Sequence, residues 1–175
     1  EGQYLATWFE HGSARLGRRH ANGTLDDYSG DFTRFRSLGI DEHHVYAIAS
    51  SPSNPGAVIA IDRRSRQTQV LAGGQAPLPV DQVSHPRSLR YPSGDGQAHG
   101  FFYPAMSDER HPPLVVFIHG GPTSACYPVF DPRIQYWTQR GFAVADINYR
   151  GSSSYGRAYR QALHLRWGAS AASRS

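Results

Sequence analysis

The stretch LVVFIHGGPTSACYP, residues 114–128, sets a histidine and two glycines directly after five apolar residues. A developing oxyanion is stabilised only by donors that approach it closely, and glycine backbone offers N–H groups with no side chain in the way. Acyl-transfer enzymes of one fold class keep such a donor in a glycine-rich loop after an early strand, the other donor coming from the turn that carries the nucleophile. His119, Gly120 and Gly121 are therefore candidate oxyanion-loop residues. A structural glycine turn after a strand fits the same letters, so these residues alone leave both readings open. No second His, Cys or carboxylate stands at ligand spacing from His119, and neither a metal nor a cofactor is expected.

The nucleophile is harder to place. Ser152, Ser153 and Ser154 follow one another, yet none lies in a G-x-S-x-G frame, and Tyr155 occupies the place of the second glycine for Ser153. No other serine in the sequence has that frame. No catalytic residue can be assigned within these 175 residues.

The elements that must position the glycine loop are legible around it. LVVFIHGG is a continuous apolar run, which predicts a strand buried on both faces of a mostly parallel sheet. Asp131-Pro132 supplies an N-cap and first-turn pair, with Phe130, Ile134 and Trp137 at helical spacing and Gly141 at the C-terminal stop. FAVADINYR at 142–150 reads as a second buried strand, GSSSYG as a loop, and Arg157 to Leu165 as a second helix. Strand, helix, strand, helix is the start of an α/β domain. Upstream, YLATWF (4–9), HVYAIAS (44–50), AVIAID (57–62) and TQVLA (68–72) read as short strands separated by turn clusters such as SPSNPG. That rhythm is an antiparallel meander, found in propeller blades and equally in sandwiches. Residues 73–86 are linker-like in composition, and Asp95-Gly96 between two β-like segments signals a hairpin.

Composition sets outer limits. An apolar fraction of 39% and an aromatic fraction of 12% suit a globular chain. No apolar run approaches the roughly 20 residues of a membrane helix, so no membrane partner is expected. The first residues, EGQYLATWFEHG, begin without Met or a signal peptide, as if inside a domain. The formal charge is +4, and all 18 basic residues are Arg. The excess sits from Arg133 onward, without the interleaved aromatics that stack bases, so no nucleic-acid partner is expected. The pattern suits a longer chain whose acidic partners lie elsewhere. One cysteine, Cys126, excludes an internal disulfide.

Residues 119–168 resemble the opening of the catalytic domain of the prolyl oligopeptidase family of serine peptidases, with its dipeptidyl and acylaminoacyl peptidase-like members most similar in character. The HGGP loop, the NYRGS-x-x-YG segment at 148–156 and the closing WG at 167–168 occur in the family's order and spacing. The resemblance implies a β-propeller fragment followed by the N-terminal part of an α/β-hydrolase domain. Residues 1–73 would be C-terminal propeller strands, 74–85 a linker, 86–168 the start of the peptidase domain and 169–175 an unrelated tail. It implies that His119, Gly120 and Gly121 shape the oxyanion side of the site. It also implies that Arg150 and Gly151 organise the loops around it, Arg150 through charge-assisted hydrogen bonds. Tyr155 and Tyr159 are expected to pack. The full-length parent would cleave peptide substrates through an acyl-enzyme, at a cytoplasmic location, in an oligomeric state the sequence leaves open. This chain, without Ser, Asp and His of a triad, is expected to be inactive. An esterase or lipase of the same fold and a non-catalytic propeller-type binding protein are the alternatives.

Overall fold

A computed structural model describes residues 4–121 and 123–164. The chain divides into two units, Glu1–Asp81 with Pro128–Phe130, and Gln82–Tyr127 with Asp131–Ser175.

The first unit is all β. Strands β1 (Tyr4–Glu10), β2 (Ser13–Arg19) and β3 (Leu25–Asp27) form one antiparallel sheet. Strands β4 (Arg34–Ile40), β5 (His44–Ser50), β6 (Ala57–Asp62) and β7 (Thr68–Gly73) form a four-stranded antiparallel meander in chain order. Side chains alternate across a strand, and the inward set is small and branched. Ala14 and Leu16 from β2, Val45, Ala47 and Ala49 from β5, and Ala57, Ile59 and Ile61 from β6 share one core with Phe35 and Tyr28. The alanines let the two sheets approach, while the outward positions mix polar residues with exposed apolar ones such as Ile40, Val58, Val70 and Leu71. Arg66, in the β6–β7 turn, ties the sheets at their rim. Its guanidinium pairs with Asp26 at 2.9 Å, donates to the Asp27 carbonyl at 2.9 Å and lies 5.0 Å over the Tyr28 ring.

The second unit is α/β. A single 3-10 turn at Val80–Gln82 precedes β8 (Arg87–Ser93) and β9 (Gly96–Tyr103), which form a hairpin. The loop is Gly94-Asp95, one residue earlier than the Asp95-Gly96 signal suggests. Gly94 takes φ +57, the first loop position where a II′ turn needs glycine, while Gly96 already pairs with Ser93. Then come β10 (Leu114–Ile118), α1 (Pro132–Thr138), β11 (Ala143–Asn148) and α2 (Arg157–Gln161). The sheet order is β10-β11-β9-β8, with β10 and β11 parallel and the rest antiparallel. Helix α1 is thus the crossover of a β-α-β unit, the usual way to join parallel strands.

Local chemistry fixes α1 at both ends. The Asp131 carboxylate accepts from the Arg133 N–H at 2.8 Å, capping the first turn, with Pro132 at the position where a missing N–H costs nothing. At the other end Gly141 N–H donates to Thr138 O and Phe142 N–H to Trp137 O, each at 3.2 Å, the paired bonds of a Schellman motif around Gly141 at φ +83. The Trp137 and Phe142 rings meet at 5.2 Å, the apolar contact that accompanies it. Ile134 faces a core of Phe101, Tyr103, Cys126 and Val144, with Val115, Phe117 and Trp137 packed against it. Phe130, expected on that helical stripe, instead belongs to the first unit, where its N–H donates to the Ser51 carbonyl at 2.7 Å.

One expectation fails clearly. Strand β10 is not buried on both faces: Leu114, Val116 and Ile118 are 53%, 52% and 69% exposed. The physical reason is position, since β10 is the edge of the sheet, bonded to β11 alone, and α1 covers one face. Helix α2 ends at Gln161 with 162–164 in turns, short of the helix expected to run on to Leu165, and Leu165, the WG pair and the tail lie outside the described residues.

Candidate functional site

The glycine loop leaves the C-terminal end of β10, the end at which open α/β sheets place their ligand crevices. Gly121 adopts φ +64, which an L side chain rarely takes. A Cβ built on Gly120 or Gly121 would meet nothing within 4 Å. The two glycines therefore present open, exposed backbone rather than filling a crowded corner, as an oxyanion loop requires.

His119 does not point into free solvent. Its ring stacks on Tyr149 with centroids 4.5 Å apart and planes 24° from parallel. Its Nε2 lies 2.7 Å from Ser152 Oγ, and its Nδ1 lies 3.3 Å from the Gly120 carbonyl oxygen. Ser152 is fully buried, and its hydroxyl donates to the Tyr149 carbonyl at 2.7 Å. A serine–histidine pair at this distance invites a nucleophilic reading, but the hydroxyl proton is spent on a backbone carbonyl and substrate has no path to a side chain with 0% exposure. Tyr149 closes the circuit: its hydroxyl donates to the Gly121 carbonyl at 2.8 Å and sits 3.5 Å from the His119 carbonyl.

Arg150 and Gly151 stand in the turn after β11. The Arg150 guanidinium donates to the Ser93 carbonyl at 2.9 Å and pairs with Asp95 at 2.5 Å, so it clamps the β8–β9 turn. A Cβ on Gly94 would come within 3.1 Å of its Nη1, a tight approach added to the positive φ that already favours glycine there. Gly151 has φ +106, and a Cβ there would sit 2.0 Å from Leu163 Cδ1. Both residues therefore hold loops together, Arg150 at the β8–β9 turn and Gly151 against Leu163.

Two amide side chains missing from the sequence reading complete the frame. Asn148, fully buried at the end of β11, accepts from the Cys126 N–H at 2.9 Å and donates to the Cys126 carbonyl at 3.0 Å, acting as a surrogate peptide for the segment after the glycine loop. Gln135 does the same for Ser84 at 2.9 and 3.0 Å. Ser153 N–H donates to the Ser124 carbonyl at 3.0 Å, a second tie between the loop after β10 and the turn after β11. Tyr155 stacks on His99 at 4.3 Å, and the Tyr159 hydroxyl donates to the Asn148 carbonyl at 2.6 Å, so both tyrosines pack as expected. The NYRGS-x-x-YG pattern contains Asn148, Tyr149 and Ser152 but does not reveal these tasks, because Asn148 and Tyr149 reach backbone groups, and Ser152 the His119 ring, that come close only after folding.

Beneath this loop, burial and, to a lesser degree, the Asp131 charge push the Asp146 carboxyl up to about 6 against the Cys126 thiol and Arg133, which favour the charged form. Burial also drives the Cys126 thiol far above its ordinary range, so that sulfur is an inert core atom donating to the Asp146 carbonyl at 3.3 Å.

Residues 128–173 match the model of the prolyl oligopeptidase family. The uncharacterized peptidase YuxL of Bacillus subtilis is 30% identical over 135 residues, which cover 75% of this chain and 20% of that protein. A puromycin-hydrolyzing peptidase of Mycobacterium tuberculosis is 32% identical with a TM-score of 0.86, over 96% of this chain and 27% of that one. The acylaminoacyl peptidase of Pyrococcus horikoshii shares the fold with a TM-score of 0.76 at 22% identity, again over 97% of this chain and 27% of its own. The chain thus spans between 20% and 27% of the length of these three relatives. The first unit is a β-propeller fragment and the second the N-terminal part of an α/β-hydrolase domain.

Proposed function

We propose that this chain, which belongs to the prolyl oligopeptidase family, supplies the last propeller strands and the opening of the catalytic domain of a serine-type peptidase that hydrolyses peptide bonds through an acyl-enzyme. The observation that carries the reading is the exposed His119-Gly120-Gly121 turn at the C-terminal end of β10, held from behind by Tyr149. In the parent enzyme the N–H groups of this turn would face the carbonyl oxygen of the scissile bond as it gains negative charge, lowering the barrier by electrostatic stabilisation. Arg150 and Gly151 serve that function at one remove, by fixing the hairpin and the α2 end against which the loops are built. Nucleophile, acid and base come from sequence outside these 175 residues, because no serine among them lies in a G-x-S-x-G frame. As it stands the chain is inactive, and a fluorophosphonate probe leaves it unlabelled.

The test is to read the template across codons 160–176 and onward in all three frames. An acidic segment followed by G-x-S-x-G supports the reading, and the polypeptide that includes it should then take the fluorophosphonate and cleave short acylated peptides or puromycin. Absence of any such elbow, or labelling of the chain as given, overturns it.

A further inference from the structure

We propose that Tyr149 and Ser152 are positioning residues for the glycine loop, acting with the His119 ring to turn the N–H groups of Gly120 and Gly121 toward its open side. The proposal rests on the peptidase reading for its purpose, but its geometry stands by itself. In a planar trans peptide the C=O and the N–H of the next residue point in opposite directions. The Tyr149 hydroxyl gathers the His119 and Gly121 carbonyls at 3.5 and 2.8 Å, so the Gly120 N–H, which shares a peptide with the His119 carbonyl, points away from Tyr149. The Gly120 carbonyl turns toward His119 Nδ1 at 3.3 Å, so the Gly121 N–H points away from the ring. Both donors thereby point away from the Tyr149–His119 side, and no side-chain position on either glycine is crowded, since an added Cβ would find no neighbour.

Ser152 fixes the ring that makes this possible. Its single hydroxyl proton goes to the Tyr149 carbonyl, so Oγ can only accept from His119, and Nε2 must carry a proton. In the neutral Nε2–H ring Nδ1 is an acceptor, so its 3.3 Å approach to the Gly120 carbonyl oxygen is a contact without a hydrogen bond, and only the doubly protonated ring donates there. The relay therefore runs His119 Nε2–H to Ser152 Oγ–H to the Tyr149 carbonyl, while the Tyr149 ring and hydroxyl hold the histidine and the loop from the other side.

Two-bond proton–nitrogen spectra of the full chain labelled at histidine nitrogen read the tautomer directly. We expect His119 protonated at Nε2. In Ser152→Ala that preference collapses to a tautomer mixture. In Tyr149→Phe, which keeps the ring stack and loses the hydroxyl, the Gly120 and Gly121 amide resonances shift while those of Gly96 and Gly100 stay in place. In dilute solution, acylation of imidazole by diethyl pyrocarbonate gives a second readout by mass spectrometry. His119 should react several-fold more slowly than the exposed His43, and Ser152→Ala should remove that protection. A His119 protonated only at Nδ1, glycine amides indifferent to both variants, or His119 reacting as fast as His43 overturns the proposal. Each outcome is independent of whether a nucleophile elbow is found, so the two readings fail separately.

Discussion

Gly151 shows how much a single backbone position can carry. At φ +106 it sits outside the conformations open to L side chains, and Leu163 packs where a Cβ would be. Gly151→Ala adds overpacking to backbone strain, and we expect a loss of about 2–4 kcal/mol from the urea midpoint. Combining it with Leu163→Ala should recover the packing part and leave the backbone part, a non-additive pair. Asp146 makes a prediction of the opposite kind, in pH. Its carboxyl is raised from an ordinary 3.8 to about 6, chiefly by burial. Between those values the folded chain holds a proton that the unfolded chain has lost, so stability is full below about pH 4 and falls as pH rises toward 6. The loss should be on the order of 3 kcal/mol at most and level off above that window. Asp146→Asn should flatten this part of the curve, and subtracting the two profiles removes the opposite contributions of Asp26, Asp41 and Asp62, whose carboxyls are held low. A variant with the parent's slope would show that Asp146 is not the titrating group.

At the scale of elements, what could be read in advance divides by how local its cause is. Helix α1 was legible because its signals act within a turn: Asp131 caps it, Pro132 starts it and Gly141 ends it. Asp131→Ala and Gly141→Ala should each cost about 1 kcal/mol, and their costs should add, since the two ends share no partner. Additive losses in chemical denaturation are the check, and a neutral Gly141→Ala would remove the Schellman assignment. Strand β5 was legible because Val45, Ala47 and Ala49 alternate with half-exposed positions, and β6 because AVIAID is a short apolar run between turn clusters, with Ile59, Ala60 and Ile61 all buried. Strands β2 and β4 were not, because SARLGRR and RFRSLGI bury only Ala14, Leu16, Gly17 and Phe35 among arginines and glycines. The glycine loop itself stood out by composition. Its supports stood inside the NYRGS-x-x-YG pattern, but their partners did not show: Asn148 and Tyr149 reach backbone atoms 22 and 28 residues away, and Ser152 meets the His119 ring 33 residues away. Long-range side chain to backbone bonding is the class of contact that one sequence leaves unmarked.

For the whole molecule, the decisive fact is the exposed side of β10. The bond from Ala143 N–H to the Pro113 carbonyl sets the phase of the parallel ladder, so Val115 and Phe117 turn their backbone groups to β11 while Leu114, Val116 and Ile118 turn theirs outward. The same three residues expose their side chains on one face. From Leu114 to Ile118 the strand has no charge, proline or bulge of the kind that blunts a natural edge. Such a strand pairs with whatever extended chain it meets, and in a solution of this chain alone the abundant partner is another copy. Self-association should therefore rise with concentration in sedimentation, and the melting transition should be broad rather than cooperative. Val116→Lys places a charge at the centre of the bare edge, where two copies would otherwise align, and should raise the monomer fraction several-fold without loss of β signal in circular dichroism. A wild-type chain that sediments as a monomer at high concentration and melts sharply would overturn this prediction.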